Sequence, residues 1–379
     1  MPGFEIIDHK EKKALNKLFS EGGVLFAHGF DNVRKKYHVR EFEKENQKFF
    51  KSKYCLAVSS GTAAIKVALM SMGVKRGDHV ITQAFNFIAT VEAILDCGAK
   101  PIIVNVDSSL NMDVKELKKK ITNKTKVVIP VHMLGASANI NEIIKICKKK
   151  KIRVLEDNCE AVGAKLRNKY LGTIAEAGVF SFDFGKMITT GEGGLLLTNN
   201  PKIYKFAKEY HDHGHENNPK FPRGKDTKTI YGFNYRMTEM QAVIGKTQLK
   251  KINYILRQNF NRYKILENEL KFKYQIRPIL KNSKPNWDTF IFYCKNMSTK
   301  NKILNILKKN KVGTKNLPDA IKWHCTYYWD HALSKKECSY SKKTRDLLNT
   351  AIAIPILINK KLSLYKKLSK QISYLQNEK

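Results

Sequence analysis

From residue 54 onward, short apolar runs alternate with stretches whose apolar residues recur at helical spacing. Tyr54–Val58, His79–Thr82, Pro101–Val106, Val127–Val131 and Ile152–Glu156 are strand-length runs. Ala63–Met72, Asn86–Cys97, Asp113–Ile121 and Asn139–Lys150 read as helices between them, with Asp113 placed to cap the third. Two more runs, Ala177–Phe182 and Gly194–Thr198, follow with little helix between them. This alternation predicts an α/β layer around a mostly parallel sheet. Beyond residue 200 the character changes. Lys202–Tyr210 reads as helix, 211–226 as a loop rich in His, Asn, Pro and Gly, and Met237–Arg262 as one or two long helices. Less regular strands and basic helices then follow, such as Trp287–Tyr293 and Lys300–Lys309. The expected organisation is an N-terminal extension over 1–25, a large domain over 26–250 and a small α+β domain over 251–379.

Composition adds limits. The 379 residues are 42% hydrophobic, enough for a real core, and Gly and Pro number only 21 and 10. No apolar run reaches membrane-spanning length, and MPGFEIIDHKEKK does not read as a secretory leader, so a cytoplasmic protein without membrane insertion is expected. The formal charge of +36 invites a nucleic-acid reading. Against it, only 11 of the 70 cationic residues are Arg, the residue suited to bidentate phosphate and base contacts, and 59 are Lys. The Lys residues crowd solvated helix faces such as Lys118–Lys120 and Lys148–Lys151. A charged, soluble surface without a nucleic-acid partner is the simpler expectation. The seven Cys form no CxxC pair, which fits reduced thiols better than a disulfide framework.

Four segments fall at predicted strand ends, where open α/β sheets place their sites. SSGTAA (59–64) brings Gly61 and Thr62 to a helix start; it is either an ordinary turn or a phosphate site made by exposed N–H groups. LEDNCEA (155–161) ends a strand in Glu156 and Asp157, which calls for a cap, a salt bridge or a functional cation nearby. In GVFSFDFGKMITTGEGG (178–194), Phe180, Phe182 and Phe184 alternate onto one strand face, and Ser181 and Asp183 onto the other. Lys186 then stands alone among apolar and small residues in a chain otherwise crowded with Lys. Such surroundings disfavour the ammonium and make a usable nucleophile. GFNYRMTEMQAVIG (232–245) sets Asn234 and Arg236 ahead of an apolar helix, with Thr238 as a possible cap. A strand-end lysine, a carboxylate upstream and a Gly-Thr helix start are together what pyridoxal phosphate needs: a Schiff-base amine, a partner for the pyridine nitrogen and a phosphate cradle.

On these segments the chain resembles the sugar aminotransferases named after DegT, DnrJ and StrS, most strongly over residues 52–245. The resemblance implies the type I pyridoxal-phosphate aminotransferase fold, α/β with a mostly parallel seven-stranded sheet and a smaller C-terminal domain. It implies Lys186 as Schiff-base lysine, Asp157 as partner of the pyridinium nitrogen, and Gly61, Thr62 and Ser181 as phosphate cradle. It also implies Phe87 stacked on the ring, and Asn234 as a phosphate ligand given by a neighbouring subunit, hence a homodimer with shared sites. Many members carry Gln or His at Glu160, near the cofactor's phenolic oxygen; two anions there would repel, so a protonated or averted Glu160 is expected. A dehydratase branch has His in place of the lysine, so Lys186 implies transamination. PGFE, GVLFAHGFD (23–31), PVHMLG (130–135), DHGH (212–215) and WHCTYYWDH (323–331) further resemble 8-amino-3,8-dideoxy-manno-octulosonate transaminases. That implies L-glutamate as donor and a keto or aldehyde sugar acid as acceptor in lipopolysaccharide synthesis, with Arg236, His213, His215 and His324 as candidate carboxylate ligands. The alternative acceptor is a nucleotide-linked 4-keto-6-deoxyhexose. The alternating His211, His213 and His215 could instead bind a metal, but the reading includes no metal site.

Overall fold

The computed structural model describes residues 2–375. Seven strands form the main sheet: β1 (Tyr54–Val58), β2 (His79–Gln83), β3 (Lys100–Val104), β4 (Thr125–Ile129), β5 (Arg153–Asp157), β6 (Ala177–Ser181) and β7 (Gly194–Thr198). Their order is β1-β7-β6-β5-β4-β2-β3. The pairs from β3 across to β6 are parallel, and only β7 runs against its neighbours. The reversal follows from the connection. The segment between β6 and β7 holds no helix, and a parallel return needs a crossover, usually helical. Lys186 lies in this short return. β6 and β7 are buried along their whole length, as strands covered on both faces must be.

Helices cover both faces. Gly61–Ser71 and Pro201–Tyr210 pack on one face around Leu56, Val58, Leu155, Val179 and Leu196. On the other, His38–Phe50 and the start of a 32-residue helix, Glu239–Leu270, enclose Phe42, Phe180, Phe182 and Leu195. The expected one or two helices after residue 237 are thus one. Thr238 caps it in a box with Gln241, no proline interrupts it, and it runs through residue 250. Its last turns join a second core with Thr289–Tyr293, Ala351–Pro355 and the helices Met297–Lys309 and Leu362–Tyr374.

Two other expectations need correcting. The helix expected over 86–97 begins only at Ala89. Asn86 is drawn away instead: its N–H donates to the His324 carbonyl and its side-chain amide to Gln83 O. Phe87 therefore sits in a turn. Phe184 does not share the face of Phe180 and Phe182, because the strand ends at Ser181; it is 59% exposed and meets the ring of Phe4. The first residues fold back on the same chain. Gly3 N–H donates to the Lys186 carbonyl at 2.9 Å, and a Cβ on Gly3 would collide with that oxygen. The Glu5 carboxylate accepts from Ile358 N–H, and buried Glu11 pairs with Lys251 on the long helix at 2.7 Å. Among the described residues, no helix is long and apolar enough to cross a membrane.

Candidate active site

A cleft of about 680 Å³ opens at the carboxyl ends of β5 and β6. Gly61, Thr62, Phe87, Asp157, Glu160, Ser181, Lys186 and His324 all line it. Each owes its place to local structure. Ser60 caps the helix Gly61–Ser71 by accepting from Ala63 N–H at 3.1 Å, and the cleft reaches Gly61 and Thr62 at that helix start, a place that favours an anion. Gly61 is required by packing: a Cβ there would lie 2.8 Å from Ser181 Cβ. Phe87, 45% exposed, lies as a wall with His324 behind it, ring centroids 5.4 Å apart.

The neighbouring carboxylates of β5 go separate ways, because successive strand side chains point to opposite faces. Glu156 is fully buried and accepts from the N–H groups of Gly172, Ile174 and Ala175. Ala138 N–H donates to His132 Nδ1, which leaves His132 Nε2 to donate to Glu156 at 3.0 Å. Glu156 is thus a satisfied structural anion. Asp157 faces the cleft. Its Oδ2 accepts from Thr90 Oγ1 at 3.0 Å and its Oδ1 from Cys159 N–H at 3.1 Å, which fixes its orientation.

Lys186 is held by a turn in which its N–H donates to Asp183 O, and its Nζ donates to Glu160 Oε1 at 2.5 Å. This overturns two expectations. Burial draws the Lys186 ammonium down, but the Glu160 charge outweighs it, and the amine ends above its ordinary value. Glu160 turns its carboxylate toward Lys186 rather than away from it. Burial pushes its carboxyl up, yet Lys186 and Lys315 hold it down at about 2. A local pattern of apolar neighbours could not show a carboxylate returning from 26 residues upstream. Burial also keeps His324 below its usual value, despite its hydrogen bond to Ala320 O and the charge of Glu160.

Pyridoxal phosphate fits these residues: an open helix start for the phosphate, an aromatic wall, a fixed carboxylate and an amine. One more observation agrees: among the described residues Glu160 Oε2 is buried without a hydrogen-bond partner, 3.6 Å from Lys315 Nζ.

Four candidates lie outside the cleft. Asn234 is exposed and bridges backbone to backbone with Asp212. Arg236 is committed to the fully buried Asp212 at 2.7 Å, which Arg223 also grips with both terminal nitrogens. His215 lies 3.0 Å from Asp226, and His213 is exposed. Among the described residues no three His, Cys, Asp or Glu gather as a metal set; His211 instead bonds the Lys208 carbonyl. Conversely, sequence reading missed Thr90, Lys315 and Asp288, which touch the site through contacts distant in sequence.

The model of the DegT/DnrJ/EryC1/StrS aminotransferase family matches residues 28–364. GDP-perosamine synthase of Vibrio cholerae is 32% identical over 265 residues, 70% of this chain and 69% of that protein. A GDP-4-keto-6-deoxy-D-mannose 3-dehydratase of Yersinia pseudotuberculosis is 33% identical over 264 residues, 65% of each. Among solved structures, Helicobacter pylori PseC, an aminotransferase involved in the biosynthesis of pseudoaminic acid, superposes with a TM-score of 0.81 at 23% identity. It covers 98% of this chain, and 97% of PseC is matched.

Proposed function

Since the chain belongs to the DegT/DnrJ/EryC1/StrS aminotransferase family, a family of pyridoxal-phosphate-dependent sugar aminotransferases, we propose that it moves an amino group from L-glutamate to a keto or aldehyde sugar. The observation that carries this is Lys186 in a cleft with Asp157, Glu160 and the Ser60-capped helix start. Lysine at position 186, rather than histidine, favours transamination over the dehydration named for the Yersinia relative.

When bound, pyridoxal phosphate supplies an electron sink for a carbanion next to nitrogen. The chain supplies the rest. The N–H groups at Gly61 and Thr62, with Ser181, would hold the phosphate, and Phe87 would supply an aromatic wall for the ring. Asp157, oriented by Thr90 and Cys159, would keep a proton on the ring nitrogen. Lys186 Nζ would hold the cofactor and, when free, would serve as the proton carrier of the site, with Glu160 orienting it through their 2.5 Å hydrogen bond.

The acceptor is proposed as the 8-oxo form of the octulosonate sugar acid Kdo, giving 8-amino-3,8-dideoxy-manno-octulosonate for lipopolysaccharide in the cytoplasm. His324, from WHCTYYWDH, lines the cleft in support of this reading. A nucleotide-linked 4-keto-6-deoxyhexose is the second reading, favoured by likeness to the GDP-perosamine synthase. A homodimer with shared sites is proposed as well. Asn234 does not line its own cleft and follows the exposed Tyr231 (70%) and Phe233 (46%), as a segment reaching a second copy would. In that arrangement Arg236, His213 and His215 serve the partner's site or none. Assay of glutamate turnover against the octulosonate aldehyde and against GDP- and UDP-linked keto-sugars tests the acceptor. Turnover of neither class, by protein that has taken up the cofactor, would overturn both readings.

A further inference from the structure

Around Lys186 the charges alternate along a chain of four. Lys186 Nζ meets Glu160 Oε1 at 2.5 Å, Glu160 Oε2 faces Lys315 Nζ at 3.6 Å, and Lys315 Nζ meets Asp288 Oδ2 at 2.6 Å. Lys315 is 8% exposed and stands on a loop tied to the small sheet by its own N–H, which donates to Ala353 O. Asp288 is fixed by Thr289 Oγ1, and Asn286 donates to the Glu160 carbonyl. Segments more than 100 residues away in sequence thus hold Glu160 in place at both main chain and side chain.

We propose that Lys315 is a positioning residue that sets, through Glu160, how tightly the nitrogen of Lys186 keeps its proton. The inference rests on Lys186 being the residue that binds the cofactor. Linkage to a pyridoxal aldehyde would convert the amine to a less basic nitrogen, and a second cation beside Glu160 offsets part of the negative charge that this nitrogen feels. Lys315 is that cation, and Asp288 anchors it at 2.6 Å. The other ionisable groups lining the cleft with Lys186 are Asp183 on its own turn, Asp157 at the end of β5, Cys159 just after it, Glu192 ahead of β7, and His324 from the C-terminal half.

The sign follows from charge. Without the Lys315 ammonium, Glu160 and Asp288 act on the nitrogen uncompensated, and its proton is held more tightly. Without the Asp288 carboxylate, the opposite holds. The test uses protein loaded with pyridoxal phosphate and follows its visible absorbance against pH. Lys315→Met should raise the midpoint by about one pH unit or more, Asp288→Asn should lower it, and Lys315→Arg should restore the wild-type value. If Lys315→Met does not fold, the direction found for Asp288→Asn decides. An unmoved midpoint in the folded variants, or equal midpoints for Met and Arg at 315, overturns the inference. Borohydride reduction and peptide mapping on the same samples separate the two claims. Label on Lys186 with unmoved midpoints sinks only the role of Lys315; label elsewhere sinks the assignment of Lys186 itself.

Discussion

Glu160 and Asp212 are both buried carboxylates kept ionised, but by different cations. Glu160 sits between two lysines, Lys186 and Lys315. Asp212 is clamped by Arg223 and Arg236, with His28 at 3.5 Å. Burial pushes both carboxyls up, and the cations hold both down at about 2. An arginine cannot give up its proton in this setting, whereas a lysine can lose one and become a nucleophile. Only 11 Arg are available in the chain, and two of them are spent on one aspartate that braces the segment carrying Asn234. The contrast teaches that the chain braces a structural aspartate with cations that keep their protons, and sets cations that can lose one around Glu160.

The largest expected effect lies in the lysine region. Lys186→Ala should cut steady turnover by about a thousandfold or more and abolish borohydride-fixed cofactor. Turnover at the wild-type rate would erase the distinction between the two regions. Next, Asp212→Ala leaves two guanidinium groups facing each other in a partly buried place. It should cost about 3 kcal/mol in chemical denaturation, while Arg-to-Lys changes at 223 or 236 should cost less. Acid separates the regions further. Burial holds His28 at about 3 and His211 at about 4, so both are neutral when folded and take up protons on unfolding. Their contribution is lost as pH falls below 6.5, whereas that of Glu160 is lost only below 4.5. Hydrogen exchange should therefore quicken over 210–236 before it does around Glu160. At the alkaline end the order reverses. The Lys186 pairing is complete below 10.5 and fades as pH rises toward its raised value, and the arginine clamp persists. The smallest effect is local. Thr90→Val removes one hydrogen bond to Asp157 and should lower kcat/KM about fivefold.

These regions also differ in how far they were legible. The sheet was readable because each strand is a compact apolar run bounded by turn residues, and Lys186 because it is isolated in a chain full of lysines. Asp157 and Gly61 follow from strand-end logic. Lys315 was invisible for the reason that Lys186 was not: it lies among many other lysines, and its partners are distant in sequence. Asp212 was hidden between His211 and His213, whose alternation drew the eye to metal chemistry. The expected suppression of the Lys186 ammonium failed because periodicity reports neighbours along the chain, and the deciding neighbour was Glu160. Arg236 was offered as a carboxylate ligand, and it is one, but the carboxylate belongs to the protein.

The bond from Gly3 to the Lys186 carbonyl has a practical side. An affinity tag fused ahead of Pro2 would begin its linker within a few residues of the point where the chain meets the Lys186 turn. Cofactor content measured before and after proteolytic removal of such a tag would report that closeness directly, and kinetic comparisons between preparations should keep the handle constant.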